Sequence, residues 1–172
     1  TAGTTMSDFM DRTLGLGYAT GASILAIMLV SMLFVWYKSE GSLSVTDIKN
    51  FRPEMFYWIT ILISNTLGTA LGDYLADDSG LGFSGGALLI GSLILITVLL
   101  HYFTKISNVI LFWIAFVLTR PFGATFGDLL TKSTDKGGLD LGTIGSSAVL
   151  FGILTLLIFY VSVKLHRERI VS

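Results

Sequence analysis

The sequence predicts an all-α fold, a polytopic transmembrane helical bundle of repeated two-helix hairpins, and three observations predict it. Of 172 residues, 52% are hydrophobic and 13% charged, about half the charged fraction of an average soluble domain. Charge-free apolar runs recur that are long enough to cross a ~30 Å hydrocarbon core at 1.5 Å per residue. An Asp-centred motif returns along the chain, each time followed by a second hydrophobic stretch. The mean hydropathy of +0.76 points the same way. Composition excludes a soluble domain, and a transmembrane barrel would need strands alternating polar and apolar over about ten residues. The net charge of -1 argues against a nucleic-acid partner, which requires a basic stripe. With no cysteine, disulfides and thiolate metal sites are excluded, and any metal would be held by oxygen or imidazole.

Five spans follow in order, at 18–37, 56–76, 83–103, 106–130 and 141–163, the fourth interrupted at Arg120-Pro121. Residues 1–12 read as the end of a further helix. A spanning helix needs about 20 residues, so the sequence is expected to continue N-terminally, with a missing repeat or an oligomer partner completing the bundle. The mixed charges of 38–53 predict a solvated loop. Lys38, Lys49, Arg52, Lys105, Lys164, Arg167 and Arg169 gather at one set of span ends, and Arg12, Lys132 and Lys136 at the other. The positive-inside rule places the first set and the C-terminus in the cytoplasm. Trp36, Trp58 and Trp113 fall at the same ends, as an interfacial aromatic belt would.

Aligning the chain on its aspartates exposes the repeat. Gly3-Thr4-Thr5-Met6-Ser7-Asp8 matches Gly68-Thr69-Ala70-Leu71-Gly72-Asp73 and Gly123-Ala124-Thr125-Phe126-Gly127-Asp128. Each copy reads small-x-x-x-small-Asp, then two apolar residues, a glycine-containing loop and a second helix. The copies run approximately 1–55, 56–105 and 106–172, in one membrane domain. Two helices per unit give every copy the same orientation, so the three aspartates should share one depth, as in parallel repeats about an axis along the membrane normal. Together with Phe56-Tyr57-Trp58, Phe112-Trp113-Ile114-Ala115 and Thr119-Arg120-Pro121-Phe122, these units resemble a bacterial family of uncharacterised membrane-anchored proteins built from a transmembrane repeat of unknown function. The resemblance covers essentially the whole chain. It implies about four repeats in an intact protein and location in the bacterial plasma membrane, and transfers no catalytic residue.

The small pairs Gly68/Gly72 and Gly123/Gly127 bare one helix face for close packing by a neighbour. Asp8, Asp73 and Asp128 cost free energy within a membrane, and each lies toward a helix C-terminus, where the macrodipole disfavours negative charge. They read either as interfacial, solvated groups or as cation- and proton-binding carboxylates. Arg120 follows 14 uncharged residues and needs a partner, for which Asp73 or Asp128 is the natural candidate. Such a pair would either lock two repeats together or act as a switchable counter-charge. Asn65, the counterpart of Arg120 one repeat earlier, and Thr69 would add oxygen ligands for a hard cation. Gly80-Leu81-Gly82-Phe83-Ser84-Gly85 spells a dinucleotide fingerprint but follows no strand, so it carries no such function.

These residues point to a secondary transporter, a cation/proton antiporter or cation exporter, with the lipid bilayer, a small inorganic cation and the proton as partners. No cofactor and no enzymatic activity are expected, and no metal is specified. The alternative is a non-transporting membrane scaffold or regulator. An intramembrane aspartyl hydrolase using Asp73 and Asp128 fits three equivalent aspartates poorly.

Overall fold

In a computed structural model the chain is helical. The structure describes residues 2–10, 15, 17–46, 48 and 50–171, with the side chains of 165 and 167–171 left aside. Among the described residues six α-helices follow in order: α1 (Ala2–Asp8), α2 (Tyr18–Glu40), α3 (Phe51–Asp73), α4 (Gly82–Phe103), α5 (Asn108–Thr131) and α6 (Gly142–Val171). No strand occurs among the described residues. Five of the helices are long and apolar enough to cross a membrane. The chain is therefore a multi-pass membrane protein. Arg12 and Lys49, and the side chains of Arg167 and Arg169, which entered the charge count above, lie outside the described residues.

The chain forms two compact units, residues 1–126 and 127–172. The first is organised around α3, which packs against α2 on one side and α1 on another. Ala22, Leu25 and Leu29 of α2 meet Ile63, Leu67 and Ala70 of α3, with Val117 of α5 against the same cluster. The outward faces remain covered with large apolar side chains, among them Ile27, Val30, Leu88 and Leu95. Lipid solvates such a face as well as the interior does, so nothing drives these residues inward.

Three sequence expectations are corrected in this unit. Helix α3 begins at Phe51, so Arg52-Pro53-Glu54 belong to its first turn and not to the loop. Proline is tolerated there because the first N–H groups of a helix have no intrahelical acceptor. Helix α5 runs unbroken through Pro121. Proline removes the one backbone bond that Val117 O would accept, a loss tolerated within a packed span. Hydroxyls on either side bond the helix backbone, Thr119 Oγ1 donating to Phe116 O at 2.8 Å and Thr125 Oγ1 to Pro121 O at 2.9 Å. Trp36 and Trp113 do not form a belt. They are buried, Trp36 between Phe56 (centroids 6.3 Å, stacked) and Trp113 (5.6 Å, edge-on). Trp113 Nε1–H donates to Leu43 O at 3.0 Å and ties the 41–46 segment down. Only Trp58 is exposed among the three.

The second unit holds the end of α5, a 3-10 turn at Thr134–Lys136 and α6. The end of a helix leaves carbonyls without intrahelical donors, and the returning loop supplies them. Leu139 N–H donates to Leu129 O at 2.7 Å, Asp140 N–H to Lys132 O at 2.9 Å and Leu141 N–H to Leu130 O at 3.0 Å. Gly137, at φ 79°, provides the left-handed residue this turn requires. Helix α6 is exposed along nearly all of its apolar length.

Candidate functional site: a polar cavity at mid-span

The first unit forms a half-open cavity of about 440 Å³ between α1, α3 and α5. It is lined by Ala2, Gly3 and Thr4 of α1, by Leu62, Asn65, Gly68 and Thr69 of α3, and by Arg120 of α5. Leu62 is the one large apolar side chain among them. Four of the residues singled out in the sequence, Asn65, Gly68, Thr69 and Arg120, thus meet in one place.

The level of this cavity follows from the spans. Asn65 stands 14 residues after Phe51 and 13 before Asp78, the limits of its span; Arg120 stands 12 after Asn108 and 11 before Thr131. At 1.5 Å per residue each is about 16–21 Å from either end, the middle of a bilayer-length helix.

Glycine explains how the helices come so close. A Cβ added at Gly3 would lie 2.9 Å from Asn65 Cβ, one at Gly68 would overlap Arg120 Cβ, and one at Gly72 would lie 2.8 Å from Ala124 Cβ. Gly3 and Gly68 hold the same place in their copies, five residues before the aspartate. Asn65 and Arg120 likewise hold one place, eight residues before it. The first glycine of each copy therefore seats the Asn/Arg position of the next copy, and the sequence repeat is reproduced as a repeated packing contact. Thr4 and Thr69, equivalent in their copies, both line the cavity as a result. At Gly123 a Cβ would meet nothing within 4 Å, and the same holds at Gly127 in the second unit. The shared motif does not produce shared packing at all three copies.

Arg120 is where the structure and the sequence expectation part. Its guanidinium lies over the Phe116 ring, 5.0 Å from the centroid, a favourable cation–π placement. Among the described residues no ion pair joins it to Asp73, the partner expected within this unit. The reason is register: Arg120 packs at Gly68, and Asp73 lies five residues further along α3, about 7.5 Å in axial rise. Asn65 Oδ1 is buried with no hydrogen-bond partner among the described residues, and so is Ser64 Oγ. Thr69 Oγ1 donates to Asn65 O at 3.4 Å, a long bond.

The aspartates sit nearer one end of the helices. Asp8 and Asp73 are half-buried at the last residues of α1 and α3. After Asp73 the helix widens into a π-helical turn over Tyr74–Asp78, closed by Ser79 N–H donating to Tyr74 O at 2.8 Å; residues 9–10 open the same way after Asp8. Single π turns in helices are frequent at functional sites. In the second unit Asp128 faces Lys132 at 3.9 Å, both side chains over a third exposed. Among the described residues no three His, Asp or Glu side chains converge as a metal site would require. Phe116, Gly3 and Thr4 were not singled out as site residues. The position of Gly3 and Thr4 in the first motif copy was the available signal, whereas nothing local marks Phe116.

Spanning helices built on a repeated aspartate motif, with a polar cavity at mid-span, define the class: a multi-pass membrane protein assembled from repeats. The chain belongs to the family described as the Repeat of Unknown Function (DUF347), whose model matches residues 1–42, 56–107 and 111–164. No curated protein and no solved structure matches it.

Proposed function

We propose that this protein is a secondary transporter of small inorganic ions in the bacterial plasma membrane, with its C-terminus cytoplasmic. The transport step is cation/proton exchange on the repeated aspartates, Asp8, Asp73 and Asp128. The observation that carries the ion-transport reading is the polar cavity, with its guanidinium, halfway along helices long enough to span a bilayer, while the exchange step itself rests on the aspartate that recurs at one motif position. A charged group at that depth is costly, and such groups mark ion and substrate pathways. A purely architectural bundle has no need of one. The π turn after Asp73 adds a helix segment whose backbone bonding departs from the α pattern beside the carboxylate.

Physical chemistry narrows the roles. A cation held about 5 Å from the Arg120 guanidinium would meet roughly 3 kcal/mol of repulsion at an effective dielectric of about 20. Asn65 and Thr69 share the cavity with Arg120, so the cation step belongs to the aspartates and not to these neutral groups. The cytoplasmic placement of the tryptophan end rests on Lys38, Arg52 and Lys105 at that end, against Lys132 and Lys136 at the other.

The test is flux. The protein is reconstituted in liposomes carrying a pH-sensitive dye, and Na⁺, K⁺, Mg²⁺ or Mn²⁺ is added outside. Cation-dependent proton movement that Asp73→Asn/Asp128→Asn abolishes is the expected result. If no cation moves protons through folded protein, the exchange reading fails and the non-transporting scaffold replaces it.

A further inference from the structure

Among the described residues that line it, the cavity holds one fixed charge and no carboxylate, and it is not the place where the proposed cation step occurs. We infer that it is a binding site for a small oxyanion that also carries an O–H group, such as dihydrogen phosphate, bicarbonate or a short hydroxy-acid. The inference deepens the transport reading by naming the ligand class of the mid-span site, and rests on that reading only for its physiological meaning.

Three observations converge on this chemistry. Arg120 offers a planar set of N–H donors and no acceptor, which suits carboxylate or phosphate oxygens in a bidentate arrangement. One edge of the cavity thus offers donors to acceptor oxygens, and the Phe116 ring centroid lies 5.0 Å from the same guanidinium. Asn65 contributes the opposite requirement. Its Oδ1 has no hydrogen-bond partner among the described residues, and a buried acceptor left without a donor costs the group its lost hydration. A ligand hydroxyl would satisfy it. Thr4 and Thr69 line the same space and can each donate or accept, as the ligand demands. Size is compatible: about 440 Å³ is the room of roughly fifteen waters at about 30 Å³ each, enough for a hydrated anion of a few heavy atoms. Gly3 and Gly68 matter because any side chain there would push apart the helices that bring Asn65 and Arg120 to one cavity.

The chemistry distinguishes anions from one another. An anion without a hydroxyl, such as nitrate or chloride, satisfies Arg120 but leaves Asn65 Oδ1 without a donor. Phosphate near pH 6, bicarbonate and lactate satisfy both.

The experiment is equilibrium binding, independent of flux, on the whole chain in detergent and in nanodiscs of phosphatidylcholine, with radiolabelled phosphate as probe at pH 6 and lactate and nitrate as competitors. Saturable phosphate binding is expected, displaced by lactate at least fivefold more effectively than by nitrate. Arg120→Gln should weaken phosphate at least tenfold. Asn65→Ala should bring lactate and nitrate to equal potency while the protein stays folded, a change that a merely structural asparagine would not produce. Repeating the titration in nanodiscs containing phosphatidylglycerol separates the sources: phosphate binding lost there, and kept in phosphatidylcholine, assigns the site to a lipid phosphate. No saturable anion binding to folded protein overturns the inference, as does phosphate binding that Arg120→Gln leaves intact. Absence of binding with flux present sinks the anion site alone, and binding without flux sinks the transport reading alone.

Discussion

Replacing Gly68 and Gly123 separately by alanine tests the packing register, because the two glycines hold the same motif position and differ in surroundings. A Cβ at Gly68 overlaps Arg120 Cβ and stands 3.3 Å from Arg120 Cα and C, whereas a Cβ at Gly123 meets nothing within 4 Å. The Arg120 atoms in question are backbone or directly attached to it, so they cannot swing aside as a flexible side-chain end would. The helices must separate, and overpacking of this kind costs about 1–3 kcal/mol. Both substitutions share the helix-propensity gain of roughly 0.5–1 kcal/mol for replacing a mid-helix glycine, so that term cancels in the comparison. The expected difference in stability is therefore about 1–3 kcal/mol, or roughly fivefold to over a hundredfold in the unfolding equilibrium, since about 1.4 kcal/mol is tenfold. The assay is reversible unfolding in mixed detergent micelles followed by circular dichroism. Gly68→Ala should unfold at clearly lower denaturing-detergent fraction than wild type, and Gly123→Ala at the same or a higher one. Equal destabilisation by the two variants would refute the argument, because the motif alone and not its tertiary partner would then set the cost.

Two further predictions concern the ends of the helices. Trp113→Phe removes the N–H that Leu43 O accepts; a typical hydrogen bond contributes about 1 kcal/mol net, and residues 41–46 should exchange amide hydrogens faster while α2 and α3 keep their protection. Unchanged exchange in that segment would mean that other contacts hold it. Lys132→Ala should change stability by less than about 0.5 kcal/mol, since its ion pair with Asp128 is an exposed i,i+4 pair at 3.9 Å. A loss of several kcal/mol in the same unfolding assay would show that Lys132 carries more than this pair.

What the sequence determined by itself is everything that a single helix carries along its own axis. Apolar length located the five spans, with starts and ends shifted by the loop-side turns that hydropathy cannot see, as at Phe51-Arg52-Pro53. Residue identity at fixed spacing revealed the repeat, and with it the equivalence of Asp8, Asp73 and Asp128 and of Asn65 and Arg120. The tertiary structure decided the lateral relations. Only it placed Arg120 at Gly68 and over Phe116, instead of beside Asp73. It alone buried Trp36 against Trp113 and carried α5 unbroken through Pro121. It also gave Gly68 and Gly123 different surroundings despite one motif. The physical reason is that lipid is as apolar as the helix interior, so no amphipathic stripe marks which face turns inward. Which residues meet across two helices is then set by the fit of small against large side chains from distant parts of the chain, a pairing that no single segment encodes.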